Sequence, residues 1–221
     1  MKLLAFSDFH GSRIVVETAS QVAQKESPDL IVVAGDIAHD DFEMARGLLE
    51  ILTISKVPVL FVPGNMDSPV LARGVNLRSA QCIHGECIYC GDMAFIGLGG
   101  ATIGPFIAPF EYEESEAASI LEKALRSFGG GRLVLVSHCP PKNTKVDLTR
   151  FKTHIGSTSV RRFIEQTNPV LAICGHVHEA AGLDRVGSTV VVNPGVGAAG
   201  FFAIVKLDRE VNVKLSSFEI P

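Results

Sequence analysis

Apolar runs of strand length alternate with amphipathic stretches along this chain, and each run ends at a small residue or a tight turn. Residues 2–6, 29–34 and 57–62 are near-continuous apolar runs, the pattern of strands buried on both faces. Between them, apolar positions recur at helical spacing and predict helices at about 12–26 and 40–56. Ser12 stands where a cap of the first helix belongs, and Pro28 follows its end. Asp40 or Asp41 is the cap of the second, whose apolar face includes Phe42, Leu48, Leu49 and Leu52. Strand–helix–strand units of this length predict parallel strands joined by right-handed crossovers. A short helical piece is expected near 68–78, with Asp67 as its cap.

Further along, the pattern changes. Short strands at about 80–84, 87–91 and 93–98 read as an antiparallel meander with a hairpin at Gly85-Glu86. Gly99 to Pro105 reads as a loop, with Phe106, Ile107 and Phe110 beside it as a packed segment or pocket wall. A helix predicted over 111–128 opens with Glu111, Glu113, Glu114 and Glu116, the charge sign a helix N-terminus favours, and ends at Gly129-Gly130-Gly131. A strand at 132–136, a loop to about 156, a helix at 158–167 and a strand at 170–174 follow. Four strands near 180–186, 188–193, 201–207 and 210–217 finish the chain. Parallel units first and hairpins last predict an α/β fold with two mixed sheets face to face and helices outside, a four-layer α-β-β-α sandwich. With no internal repeat or linker, residues 1–221 are expected to form a single domain.

Composition narrows the classes. A chain with 47% hydrophobic and 20% charged residues is ordinary for a globular protein, and a net charge of −4 with a pI near 6.0 gives no expectation of a nucleic-acid partner. No apolar stretch approaches the roughly 20 residues that span a bilayer. The apolar start is cut short by Asp8 and His10, so a cytoplasmic protein without a membrane partner is expected. Five cysteines make no regular disulfide framework. Cys82, Cys87 and Cys90, with His84 among them, have the composition of a zinc set but read better as small apolar strand residues. Cys139 has no base partner that would make it a nucleophile.

Chemistry gathers at the strand ends. Just beyond five of the apolar runs stand Asp8 and His10, Asp36, Asn65, His138, and His176 with His178. Each has a plain alternative: Asp8 and Asp36 as helix caps, Asn65 as a turn residue, His138 as a strand-end histidine. Together they describe one polar site at the carboxyl edge of a sheet. Two aspartates, one amide oxygen and four imidazoles exceed the coordination of one ion and suit two ions sharing a carboxylate. Imidazole mixed with carboxylate favours divalent manganese, iron, cobalt, nickel or zinc, manganese first among them. Such a pair clamps the oxygens of an in-line displacement at phosphorus.

Asp8-Phe9-His10, Gly35-Asp36, Gly64-Asn65-Met66-Asp67, His138 and Gly175-His176-Val177-His178 resemble the calcineurin-like metallophosphoesterases in order, spacing and flanking glycines. The resemblance implies that Asp8, His10, Asp36 and His178 hold one metal, and that Asp36 bridges to a second held with Asn65, His138 and His176. It further implies that a hydroxide activated by both metals attacks phosphorus, with Asn65 helping to neutralise the phosphoryl oxygens. Asn193-Pro194-Gly195 matches the family's closing turn and reads equally as structural, the reading preferred here.

One position departs from the pattern. Where the family usually carries the histidine of Gly-Asn-His-Asp, this chain has Met66, which neither binds phosphate nor donates a proton. Small prokaryotic members that replace this histidine are described as phosphodiesterases, so a small phosphodiester is the expected substrate. His39 and His154 are the candidate replacement donors, each with a surface histidine as the plain alternative. Lys142, Lys145, Arg150 and Lys152 against Asp147 make 140–154 a basic loop, a candidate rim for an anionic substrate. The alternatives are a phosphomonoesterase and a protein-interaction scaffold of the same fold, such as the retromer subunit, which also lacks the histidine. A homo-oligomer is a further expectation.

Overall fold

The structure is a computed structural model that describes residues 1–75, 77, 79–104 and 107–220. In chain order the first elements are β1 (Lys2–Phe6), α1 (Arg13–Glu26), β2 (Leu30–Ala34), α2 (Phe42–Thr53), β3 (Val59–Val62) and β4 (Ala80–Cys82). There follow β5 (Cys87–Cys90), β6 (Met93–Leu98), β7 (Ala101–Thr102), β8 (Glu111–Tyr112), α3 (Glu114–Leu125) and β9 (Arg132–Ser137). The last are α4 (Thr158–Thr167), β10 (Leu171–Ile173), β11 (Gly182–Val186), β12 (Thr189–Asn193), β13 (Phe201–Leu207) and β14 (Val211–Ser217).

Two six-stranded mixed sheets form, in the orders β14-β13-β1-β2-β3-β4 and β11-β12-β10-β9-β6-β5. Alternation along the strands builds the layers. Leu3 and Ala5 of β1 point between the sheets, with Val32 and Ala34 of β2 and Val134 and Val136 of β9. Leu4 and Phe6 point the other way, onto Val15, Val16 and Ala19 of α1 and Leu48 and Leu49 of α2. On the far side, Ala94 and Ile96 pack against Ala117 and Leu121 of α3 and Val160 and Ile164 of α4. This is the predicted α-β-β-α arrangement. The central strands look uniformly apolar because both of their faces are covered.

Local chemistry fixes several boundaries. Asp41 caps α2, accepting from Met44 N–H at 2.9 Å. Ser12 occupies the cap position of α1, but its side chain makes no capping bond. Ser27 and Asn168 close α1 and α4 in the left-handed conformation.

The predicted antiparallel meander forms in its second half, where β5 pairs with β6, but not in its first. β4 pairs parallel with β3 in the first sheet, because Ile83 N–H donates to Phe61 O. The chain then crosses between sheets at residues 83–86, and the true hairpin joins β5 and β6 through Gly91-Asp92. Three short apolar strands in a row carry no mark of which sheet each joins. Among the described residues near 68–78 the helical piece is a 3-10 turn over Pro69–Arg73. Glu111 lies outside α3: it sits in β8, paired parallel with β7 in the stretch expected to be loop. Phe106 lies outside the described residues. No helix of the described residues is long and apolar enough to cross a membrane.

Candidate metal centre

The carboxyl ends of β1, β2 and β3 in one sheet, and of β9 and β10 in the other, open onto one edge. Each strand's last residue is followed within four residues by a predicted donor. The turns are held by main-chain bonds from Asp8 N–H to Gly35 O, His10 N–H to Asp36 O, and Gly175 N–H to His138 O, 2.9–3.0 Å each.

These turns are strained. Asp8, His10, Asp36 and His176 all have φ between 48° and 68°, a conformation costing an L-residue about 1–2 kcal/mol. Four strained donors in one place mark a functional site rather than ordinary turns. Two glycines make the geometry possible by close approach. A Cβ on Gly64 would overlap the Asp36 carboxylate, and one on Gly175 would overlap Ser7 Oγ.

All seven predicted ligands come together in two overlapping sets. In the first, Asp8, His10, Asp36 and His178 each offer an atom within 4.8 Å of the others'. His10 Nε2 and His178 Nε2 are 3.0 Å apart, and His178 Nε2 is 3.4 Å from Asp8 Oδ1. In the second, Asn65 Oδ1 lies 2.9 Å from both His138 Nε2 and His176 Nδ1, and His138 Nε2 is 3.4 Å from Asp36 Oδ1. Asp36 belongs to both: its Oδ2 is 4.0 Å from His10 Nε2, and its Oδ1 also accepts from Met66 N–H at 2.9 Å.

The donor chemistry fits cations. The Ala34 carbonyl, 2.7 Å from His138 Nδ1, assigns the ring proton to that nitrogen, so Nε2 of the neutral ring turns a lone pair toward Asn65 Oδ1. Burial pulls the basicity of the His138 ring down, but the Asp36 and Asp8 charges raise it above the usual range. Burial and the nearby His138 hold His176 down to about 3, leaving it neutral and ready to ligate. Burial likewise lowers His10 despite Asp36 and Asp8. Burial works to raise the Asp8 carboxyl, yet the nearby His178 ring and the His138 charge bring it below the ordinary value. The buried Asp8 Oδ1 has no hydrogen-bond donor.

A family model described as metallophosphoesterase, calcineurin superfamily, matches residues 38–218. The chain belongs to that family. Metal-dependent phosphoester hydrolysis is therefore its class of chemistry, and divalent ions are its cofactors. The metallophosphoesterase is 33% identical over 201 residues to the uncharacterised protein MJ1162 of Methanocaldococcus jannaschii, covering 88% of each chain. In fold it is similar to TT1561 of Thermus thermophilus, with a TM-score of 0.80 at 20% identity over 98% of each chain. It is also similar to a dimetal phosphatase from Danio rerio, with a TM-score of 0.69 at 14% identity over 98% of this chain and 96% of that one.

The remaining predicted residues are placed variously in this metallophosphoesterase. His39 is exposed, its ring stacked on that of His10 with centroids 5.0 Å apart. His154 is tied into the 140–157 loop, its Nδ1 2.7 Å from Asp147 Oδ1. Met66 lines a cleft of about 780 Å³ that opens beside Asn65 and His176. Cys82 lies on β4 while Cys87 and Cys90 lie on β5, and among the described residues the one cluster of three or more His, Cys, Asp or Glu donors is the first metal set. Burial raises the Cys139 thiol to about 12, unsuited to nucleophilic use.

Two carboxylates do more than the sequence suggested. Asp67 is not a helix cap. It is fully buried and accepts from Ile37, Ala38 and Gly64 N–H at 2.7–3.0 Å, bracing the Asp36 turn against the Asn65 turn. Asp147 is fully buried and accepts from Asn143, Thr144 and Gly156 N–H. A short polar residue next to a helix reads as a cap, and only the tertiary fold reveals backbone donors about 30 residues away.

Proposed function

We propose that the protein is a phosphodiesterase acting on small phosphodiesters, with two divalent ions, manganese first, held on either side of Asp36. The observation that carries this reading is the Asp36 carboxylate itself: its two oxygens face the two histidine sets, as a bridging ligand requires. Ions bound there supply electrophilic pull on the phosphoryl oxygens and acidify water. The protein's own groups do the rest. With Oδ1 turned to His138 and His176, the Asn65 amide leaves its Nδ2 for a phosphoryl oxygen at the head of the cleft. Met66 contributes its main-chain N–H to Asp36 and an apolar side chain to the cleft wall, so it donates no proton to a leaving group. We assign that proton to His39, exposed beside His10, rather than to His154, which Asp147 holds. A diester suits a site without the motif histidine, because its single negative charge demands less neutralisation than a monoester's two.

Protein stripped of metal and resupplied with Mn²⁺ should hydrolyse bis(4-nitrophenyl) phosphate faster than 4-nitrophenyl phosphate, and Asp36→Asn should abolish both activities. A faster monoester would make the protein a phosphomonoesterase. Two ions held with neither ester turned over would favour a protein-interaction scaffold.

A further inference from the structure

The cleft beside Asn65 and His176 has walls that the metal chemistry does not use. Ile107 is 101% exposed, Phe151 78%, Ile103 59% and Ile155 38%, and all four line this one cleft. Large apolar side chains gathered at the mouth of a site, rather than scattered, mark a binding surface. Charge in the cleft is mixed: Glu111, Glu113, Glu114 and Glu179 line it together with Lys142 and Arg150. Glu111 accepts from Gly104 and Ala108 N–H, Glu114 from Ser157 Oγ and from Thr158 and Ser159 N–H, and Glu179 from Arg150 N–H. Lys142 and Arg150 line the same cleft, and neither makes an ion pair among the described residues. The Arg150 guanidinium lies over the Phe151 ring at 5.1 Å. Buried Asp147, with its backbone bonds and its bond to His154, fixes the shape of the loop that carries Lys142, Arg150 and Phe151. Phe151 and Ile155 are therefore presented by a loop braced from within, in the same cleft that Asn65 and His176 line.

We propose that this cleft seats the organic substituent of the phosphoester, an apolar group of ring size, with Ile107 and Phe151 as its specificity-determining contacts. The inference deepens the phosphodiesterase reading and rests on it for where the phosphorus lies. Its size limit is generous: a volume of about 780 Å³ falls within the range of sites that enclose whole small ligands. Small alkyl esters would leave the wall bare.

Calorimetry with phenylphosphonate and methylphosphonate as probes tests the cleft without turnover. The Mn²⁺-loaded protein should bind the phenyl compound about tenfold or more tightly than the methyl compound. The double variant Ile107→Ser, Phe151→Ser should reduce that preference to near unity. Both side chains are exposed, so the variant should fold, and its thermal midpoint checks this. Equal affinity of the wild type for the two probes, or an undiminished preference in the variant, overturns the inference. So does a change of association state in the variant, read by sedimentation, without a change of preference, since the wall would then face a second copy. Turnover of bis(4-nitrophenyl) phosphate by the same preparations is read separately. Its absence, with the phenyl preference intact, would sink the phosphodiesterase reading and leave the cleft assignment standing.

Discussion

Met66 changes what the neighbouring residues must do. A methionine cannot protonate an alkoxide, and general acid help is worth about 10²–10⁴-fold, most for poor leaving groups. His39, exposed and stacked on His10 at 5.0 Å, is the group near the donors with a side chain free for that task. Replacing it should therefore separate substrates by leaving group. In the His39→Gln variant, turnover of an alkyl aryl diester that expels alkoxide should fall at least tenfold more than turnover of bis(4-nitrophenyl) phosphate. Steady-state rates on the two esters check this, and an equal loss on both would show that His39 only supports His10.

Among the turns and crossovers, buried polar groups decide how the strands present their donors. Asp67 joins the turn after β2 to the turn after β3, against a burial cost and the Asp36 charge that push its carboxyl up to about 7. Asp67→Asn keeps an acceptor for one backbone N–H and turns an NH₂ toward the others. That should cost about 2–4 kcal/mol in denaturant unfolding and weaken Mn²⁺ binding. An unchanged midpoint would remove Asp67 from the support of the site. His84, at the crossover between the sheets, accepts from Gly99 N–H at 2.9 Å, and burial lowers it to about 4. In the unfolded chain a histidine takes up its proton near pH 6.5, while folded His84 resists it until about pH 4. Its contribution is thus complete above pH 6.5 and is lost as the pH falls toward 4, by about 3 kcal/mol at most. Unfolding free energies of metal-free wild type and His84→Gln across that window should converge with acid; parallel curves would contradict the assignment.

Over the whole molecule, legibility followed how locally each feature is encoded. The long buried strands, the helices between them and the seven donors were readable, because each apolar run ends in its own turn and the donor stands immediately beyond it. Strand partnership was not readable for β4, whose short apolar sequence suits either sheet. The role of Asp67 was equally hidden, because two of its three donors are backbone N–H groups of another turn. The site is thus a product of the two-sheet frame: β1, β2 and β3 bring Asp8, His10, Asp36 and Asn65 to the edge where β9 and β10 bring His138, His176 and His178. That frame puts Asp36 at the centre of the site, since its carboxylate faces both histidine sets. The most direct test is a Mn²⁺ titration of metal-free protein followed by electron paramagnetic resonance. Two ions per chain with a spin-coupled signal, lost in Asp36→Asn, is the predicted result; a single ion, or two ions without coupling, would contradict a centre bridged by Asp36.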